Sequence, residues 1–220
     1  MSSRLIIEEF QNEKVTSEQM EMLLAAGWRH FGEKFYRYNI SIYENRVCSV
    51  MPLRISMKDF QFSKSQRKIL AKNKEFSVEI KDLEVDAEKV ALFERHKRKF
   101  KENIPQSIYD FLSYKSPAYC PLLTKEVSVY DGRKLIACSF MDETVNTCSS
   151  IYGMFDLDYG KYSLGLLTML LELEFAIANG KEYYYHGYCY NIPSFYDYKK
   201  KFNSLYYYDW HGQWLPFPKQ

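Results

Sequence analysis

The sequence has few cysteines and histidines, and neither type shows the spacing of a metal site. Five cysteines form an odd set without a Cys-x-x-Cys pair, which argues against a disulfide framework and against a zinc ribbon. The four histidines are also scattered along the chain. We therefore expect no metal site and a reducing compartment, the cytoplasm. The cysteines are Cys48, Cys120, Cys138, Cys148 and Cys189.

Long uninterrupted apolar runs are also missing. The most apolar stretch, LGLLTMLLELEFAIA, is broken by Glu172 and Glu174. The first residues, MSSRLIIEEF, have no basic start followed by an apolar stretch. We expect neither a signal peptide nor a transmembrane span, and hence no membrane partner.

Apolar and aromatic residues are abundant, and positive charge is local. Hydrophobic residues make up 46% of the 220 residues and aromatic residues 17%, enough for a sizeable core. The net charge is only +2, but residues 58–74 carry six basic side chains against one acidic side chain. Two further basic clusters lie at residues 95–101 and 199–201. Taken alone, such clusters are typical of solvated faces as well as of nucleic-acid binding.

Local patterns in the N-terminal third predict short elements. Thr16 and Gln19 form a capping box ahead of a helix over residues 17–26, and two strands follow over 34–43 and 46–55. Ser63 caps a further helix. Its basic side chains fall along one side and predict a cationic ridge; they are Lys64, Arg67, Lys68 and Lys72.

The rest of the chain alternates strands and helices. Asp131-Gly132 between two strand-like segments predicts a hairpin, and TCSSIYGMF, residues 147–155, predicts the next strand. A helix over 86–102 would direct Val90 and Phe93 to the core. The other predicted elements are a strand at 76–80, a short helix opened by Ser107, a helix over 163–179, a strand at 182–188, a helix near Pro193 and a strand at 205–208.

Several short motifs in two distant segments together resemble one family. They are Gly27-Trp28-Arg29-His30-Phe31-Gly32, MPLRI with Arg54, SKSQRK at 63–68, Ser163-Leu164-Gly165, Gly187-Tyr188 and Tyr198-Lys199-x-x-Phe202. With this spacing the chain resembles the aminoacyl-tRNA-protein transferases, which move an amino acid from its tRNA to a protein N-terminus. The resemblance covers roughly residues 17 to 215.

The resemblance implies a fold and a division of the chain. From residue 124 onward, the order of hairpin, strand, turn, long helix, strand, helix and strand resembles the acyltransferase fold of the GNAT superfamily. We expect an α+β protein with a mixed, mostly antiparallel sheet flanked by helices. The N-terminal basic lobe would span 1–75, and the GNAT-like catalytic domain 76–220.

The resemblance also implies roles for matching residues. Tyr188 would be catalytic, orienting the acceptor amine or donating to the leaving ribose oxygen, with Gly187 and Tyr198 shaping the site. The tRNA 3′ end would meet the turn before the long helix, at Lys161, Ser163, Leu164 and Gly165. An acidic acceptor N-terminus or the tRNA backbone would be held by Arg54, Ser65, Gln66, Arg67, Lys68 and Lys199.

The implied reaction transfers arginine or leucine from charged tRNA to proteins with an acidic N-terminal residue. The ester is already activated, so no cofactor and no nucleophile–base triad is required. One departure is that Glu44, Val47 and Val50 stand where the family's N-terminal cysteine group would fall. We expect that cluster to be absent, which keeps open a degenerate binder of tRNA or peptide N-termini. The other alternative is a coenzyme A-dependent N-acetyltransferase, disfavoured because DYGKYSLG does not reproduce Arg/Gln-x-x-Gly-x-Gly/Ala.

Overall fold

The helices of the computed structural model, which describes residues 5–218, are short except for one. They are α1 (Ser17–Ala25), α2 (Lys64–Lys72), α3 (Ala87–His96) and α4 (Leu164–Ala178). Further 3₁₀ turns cover Lys97–Lys99, Ile108–Asp110, Leu157–Tyr162 and Phe195–Lys200. The predicted capping boxes are present at Thr16 with Gln19 and at Ser63 with Gln66. No helix in residues 5–218 has the length and apolar character needed to cross a membrane.

The strands form a small sheet and a large one. β1 (Ile7–Gln11), β2 (Arg29–Phe31) and β3 (Lys34–Tyr38) make an antiparallel sheet in the order β1-β3-β2. The large sheet has the order β12-β11-β5-β10-β9-β8-β7-β6, with β4 also paired to β5. Its strands are β4 (Ile40–Tyr43), β5 (Arg46–Ser56), β6 (Ser77–Asp82), β7 (Thr124–Asp131), β8 (Lys134–Glu143), β9 (Thr147–Phe155), β10 (Tyr183–Tyr190), β11 (Leu205–Tyr208) and β12 (Trp214–Pro216).

This arrangement confirms the predicted α+β class with a mostly antiparallel sheet and flanking helices. The hairpin at Asp131-Gly132 joins β7 to β8, with Gly132 at a φ of 59°. β9 coincides with the predicted TCSSIYGMF strand. The division at residue 75 stays a prediction; β5, from the N-terminal part, pairs with both β10 and β11 in the large sheet.

Three predictions about local elements are wrong. The helix over 86–102 ends at His96 and continues only as a 3₁₀ turn. Phe93 is buried as expected, but Val90 is 39% exposed, because the inward face also carries Lys89 and His96. The strand over 34–43 is divided between two sheets, and the helix near Pro193 is a 3₁₀ turn. β1, β2 and β12 are short strands that the sequence patterns did not predict.

The large sheet has apolar layers on both faces. Leu170 and Leu173 of α4 pack with Leu53 and Ile55 of β5. Leu92 and Phe93 of α3 pack in a separate cluster with Phe140 of β8.

The sheet opens between β9 and β10. These two strands are parallel and pair only over three positions, from Thr147 with Tyr183 to Ser149 with Tyr185. Both strands then continue without pairing to each other, and β10 has an irregularity at His186 in its register with β5. The interval between residues 150–155 and 186–190 is called the gap below. α4 begins near its β9 side, where Gly165 lies against Phe155.

The buried charge on α3 generates a prediction about stability. The Lys89 ammonium is 2.7 Å from Asp86 and 3.1 Å from Glu126, whose side chain is fully buried. We expect Lys89→Met to lower the free energy of unfolding by about 3–5 kcal/mol, because Glu126 is left buried without its counter-charge. Urea denaturation measures this loss, and Lys89→Met with Glu126→Leu together should recover much of it. An unchanged urea midpoint for the single variant would contradict this assignment.

Candidate functional site

Arg29 lies at the point where β9 and β10 separate. Its Nη1 donates to Ser149 Oγ at 2.9 Å and to the Tyr185 carbonyl at 3.3 Å, and its Nη2 donates to the Ser150 carbonyl. One guanidinium therefore satisfies carbonyl groups of both strands where their own pairing stops. The side chain is 9% exposed. Arg29 acts as the apex of the gap.

Lys199 directs its ammonium into the gap. A Cβ atom on Gly187 would lie 2.8 Å from Lys199 Nζ, so the lysine lies over the glycine of β10. Gly187 has a φ of 95°, which also favours glycine. Among the described residues, Nζ has no carboxylate or hydrogen-bond acceptor in contact, and its nearest aromatic ring is that of Tyr196, at 5.3 Å. The gap thus contains a cation without a counter-ion.

Burial lowers the pKa of Lys199 to about 7, with a further contribution from the positive charge of Arg29. At neutral pH, a substantial fraction of this lysine is therefore a free amine. His186 beside it donates from Nε2 to the Lys199 carbonyl, 3.0 Å away. Burial and the charge of Lys199 lower the pKa of His186 to about 3, so His186 is neutral.

A buried carboxyl group from α4 lies under the same part of the sheet. Glu172 is fully buried and accepts a hydrogen bond of 2.5 Å from the Tyr184 hydroxyl on β10. Burial raises the pKa of Glu172 to about 7. Its charge raises the pKa of Lys199, although less than burial lowers it. The gap is thus underlain by a second group that titrates near neutral pH.

The predicted donor-binding residues lie together at the start of α4. Ser163 has a φ of 57° and its side chain makes no capping hydrogen bond, while Leu164 is buried. A Cβ on Gly165 would be 3.0 Å from the ring of Phe155. Lys161 is exposed, and its carbonyl accepts a hydrogen bond of 2.5 Å from Lys72 at the end of α2. The cationic ridge of α2 therefore adjoins the start of α4.

Tyr188 is held by the fold through its hydroxyl. This group donates to the Gly27 carbonyl at 2.7 Å, and its ring makes edge contacts with Tyr36 and Tyr38. Burial raises the pKa of Tyr188 far above its ordinary value. The catalytic role predicted for Tyr188 stays a prediction.

The predicted anion-binding residues do not form one group. Arg54 stacks on Tyr183 at 4.0 Å and on Trp214 at 4.4 Å, and its Nη1 donates to the Tyr185 hydroxyl at 3.4 Å. Gln66 is buried and caps α2, Ser65 contacts the Ser63 hydroxyl at 3.0 Å, and Arg67 donates to the Phe62 carbonyl. Lys68 is exposed, and Tyr198 packs at the edge of the main core. Lys199 is the member of this set that enters the gap.

Family profiles match both the N-terminal and the C-terminal part of the chain. The profile of the family "Arginine-tRNA-protein transferase, N terminus" matches residues 2–68, and that of "Arginine-tRNA-protein transferase, C terminus" matches residues 88–209. A protein of Shewanella sp. (strain MR-7), named aspartate/glutamate leucyltransferase, is 31% identical over 179 residues, which are 81% of this chain and 73% of the relative. The chain belongs to the aminoacyl-tRNA-protein transferase family. It is therefore an aminoacyltransferase, and its family acts on charged tRNA and protein N-termini.

Other similar proteins include a more distant relative and two solved structures. A protein of Vibrio vulnificus (strain CMCP6), also named aspartate/glutamate leucyltransferase, is 29% identical over 191 residues, covering 86% of this chain and 79% of the relative. The structure of L-PGS from Bacillus licheniformis has a TM-score of 0.46 and 11% identity, covering 84% of this chain and 54% of the other. FemX has a TM-score of 0.48 and 10% identity, covering 86% and 65%.

Sequence reasoning did not assign two side chains, Arg29 and Glu172, to the gap of this aminoacyltransferase. The sequence gives Arg29 only as part of the Gly27–Gly32 motif, because the burial that marks its specific polar contacts is visible only in the fold. Glu172 was visible as a charge within the apolar run of α4. The contact of Arg29 with β10 joins residues 156 positions apart, whereas that of Glu172 with Tyr184 spans only 12 positions.

The apex generates the second prediction. We expect Arg29→Met to lower the free energy of unfolding by about 2–4 kcal/mol, because the carbonyls of Ser150 and Tyr185 lose their donor. At urea concentrations where Arg29→Met is still folded, its aminoacyl transfer should be about 100-fold slower than that of the wild type, because the separation of β9 and β10 is no longer fixed. Arg29→Lys can reach only part of these acceptors, so its stability and its transfer rate should lie between those of the wild type and of Arg29→Met. Full transfer by folded Arg29→Met, measured beside urea denaturation, would contradict the assignment.

Proposed function

We propose that this aminoacyltransferase moves leucine from leucyl-tRNA to the α-amine of proteins whose first residue is aspartate or glutamate. The observation that carries the proposal is the match, over most of both chains, to relatives named aspartate/glutamate leucyltransferase. Arginine is the second candidate donor, because the family profiles that match are described as arginine-tRNA-protein transferase. A charged tRNA donor is consistent with action in the cytoplasm.

In this proposal the sheet is GNAT-like, and the gap is where ester and amine meet. Support comes from the antiparallel strands β7 to β9, the parallel strand β10 and the intervening helix α4. The ester carbonyl would lie along the edge of β9 beyond Ser149, where β10 no longer pairs. Backbone N–H groups at such an edge suit the developing oxyanion.

Lys199 in its free-amine form would then serve as the proton carrier. The neutral α-amine of the acceptor attacks the ester carbonyl and forms the new C–N bond, and Lys199 Nζ accepts the proton released from that nitrogen. The C–O bond to the ribose breaks, and the Lys199 ammonium returns the proton to the leaving ribose oxygen. Lys199 is thereby returned to its free-amine form. Tyr188 would shape the gap, because its hydroxyl is engaged by the Gly27 carbonyl.

The proposal requires no cofactor, since the ester is already activated and Lys199 carries the only proton that must move. Recognition of the acceptor's acidic side chain needs a positively charged residue other than Lys199, which acts as a free amine. Arg54 is a candidate, although its guanidinium is stacked between two rings in the free protein. Arg67 and Lys68 on the exposed side of α2 suit the tRNA backbone instead.

Transfer assays test the proposed reaction directly. We expect radiolabelled leucine, supplied as leucyl-tRNA, to be incorporated into peptides that begin with Asp or Glu and not into one that begins with Ala. Arginyl-tRNA and labelled acetyl-coenzyme A are run in parallel. Incorporation from arginyl-tRNA alone would show that arginine, not leucine, is the amino acid transferred. Incorporation of acetyl groups alone would contradict aminoacyl transfer as the activity. Tight tRNA binding with no product would favour the degenerate binder.

The role of Lys199 gives a prediction about pH. With both substrates saturating, kcat should rise as the pH increases from 6 to 8 with an apparent pKa of about 7, because only the unprotonated lysine accepts the proton. We expect Lys199→Met to lower kcat by about 100- to 10,000-fold and to remove this inflection. Lys201→Met, which removes an exposed charge two residues away, is the matched control and should keep the wild-type profile. An unchanged inflection in Lys199→Met would show that another group is titrating.

A further inference from the structure

The buried carboxyl group beneath the gap has no part in the reaction described above. Glu172 is fully buried on α4, a helix whose other buried side chains are apolar except for Thr168. Its Oε2 accepts a hydrogen bond of 2.5 Å from the Tyr184 hydroxyl. A neutral side chain of similar size would fill this position at a lower desolvation cost. The presence of a carboxyl group here therefore points to a use for its charge.

A series of contacts joins Glu172 to the backbone of Lys199. Tyr184 and His186 both lie on β10, and their rings are parallel with centroids 6.0 Å apart. His186 Nε2 donates to the Lys199 carbonyl at 3.0 Å. The phenol that hydrogen-bonds to Glu172 therefore packs beside the imidazole that holds the Lys199 backbone.

The gap also contains two cations, and within residues 5–218 no carboxylate contacts either of them. Arg29 donates to carbonyl groups and to a serine hydroxyl, and Lys199 Nζ lies over Gly187. Burial and the charge of Arg29 lower the pKa of Lys199, whereas the charge of Glu172 raises it. Burial raises the pKa of Glu172, and the charge of Arg29 opposes that effect. Lys199 and Glu172 therefore titrate as a coupled pair.

The other titratable groups around this pair keep one protonation state between pH 5 and 9. Arginine stays charged over this range. Burial raises the pKa of the two neighbouring thiols to about 12 and that of the three neighbouring phenols above its ordinary value, and it lowers the pKa of the imidazole to about 3. These neighbours are Cys148 of β9, Tyr184, His186 and Cys189 of β10, and Tyr196 and Tyr198 of the 3₁₀ turn that carries Lys199.

We propose that Glu172 is a positioning residue that sets the charge state of Lys199 from beneath the gap. This inference rests on the proposed function, in which Lys199 carries the proton of the acceptor amine. A carboxylate at Glu172 favours the Lys199 ammonium, and a protonated Glu172 favours the free amine. When the acceptor amine gives up its proton, the ionised Glu172 stabilises the ammonium that forms on Lys199.

The pH profile of transfer distinguishes this role from a purely structural one. Glu172→Gln keeps the shape of the side chain and an oxygen that can accept from the Tyr184 hydroxyl, but it carries no charge. We expect the inflection of kcat to move down by about half a pH unit, because the ammonium loses its counter-charge. The ratio of variant to wild-type kcat should therefore be about twofold greater at pH 7 than at pH 8.5. A variant that was only loosened in structure would be slower by the same factor at both pH values.

Two further variants separate the charge of Glu172 from its surroundings. Tyr184→Phe removes a hydrogen bond that stabilises the carboxylate, so Glu172 keeps its proton to a higher pH. The inflection should then move in the same direction as in Glu172→Gln, but by a smaller amount. Glu174→Gln is the matched control; it removes an exposed carboxyl group two positions along α4 and should keep the wild-type inflection.

A titration of Lys199 itself tests the inference without requiring transfer. In protein that carries lysine labelled with ¹³C at Cε, the NMR signal of Lys199 is the one missing from Lys199→Met. We expect its titration midpoint to be about half a pH unit lower in Glu172→Gln than in the wild type. An equal midpoint in Glu172→Gln that is folded by circular dichroism would overturn the inference. If the wild type transfers no amino acid but the midpoint falls in Glu172→Gln, the proposed function fails and the link between Glu172 and Lys199 stands.

Discussion

The hydrogen bonds of the Arg29 guanidinium to β9 and β10 are the contacts on which the site depends. A parallel pair of strands that stops pairing leaves carbonyl and amide groups exposed on both inner edges, which is unfavourable unless another group satisfies them. Arg29 does so at the Ser150 and Tyr185 carbonyls, and it comes from the small sheet rather than from either strand. The small N-terminal sheet is thereby joined to the gap in the large one. Lys199, Glu172 and the start of α4 take their places around that gap.

The buried lysines of this protein are of two kinds, those paired with carboxylates and those that lie against aromatic rings. Lys89 is buried and neutralised by two carboxylates, so its charge belongs to the fold. Lys99 and Lys199 lie close to aromatic rings and have no counter-ion within residues 5–218, and burial lowers the pKa of each, to about 8 and about 7. Keeping a cation unpaired costs stability, and such groups cluster at functional sites.

Local patterns predicted the parts of the fold that depend on neighbours in the sequence. The capping box at Thr16 and the turn at Asp131-Gly132 involve residues within three positions of each other, and both are present. The sequence predicts that Val90 is in the core because it is apolar. In the structure, α3 instead buries Lys89, which pairs with Glu126 of strand β7. No local pattern contains that partner.

The same distinction explains the candidate site. The motifs identified the family and selected Lys199 and Gly187, which lie together in the gap. They include Arg29 but do not reveal its role, because its acceptors are 120 or more residues away. The assignment of Gln66 and Arg67 to anion binding stays a prediction, and the motif does not show their local contacts: Gln66 caps α2, and Arg67 donates to the Phe62 carbonyl. A motif gives residue types and spacing, whereas these roles depend on which groups the folded chain brings into contact.

The most direct test of the central claim is a crystal structure with a stable analogue of the donor, an adenosine carrying leucine through an amide at its 3′ position. If the gap is the transfer site, the amide carbonyl lies in it, within hydrogen-bonding distance of Lys199 Nζ or of the β9 backbone. Binding of the analogue elsewhere, such as in the hollow lined by Arg37, Val50 and Trp210, with the gap unchanged, would contradict it.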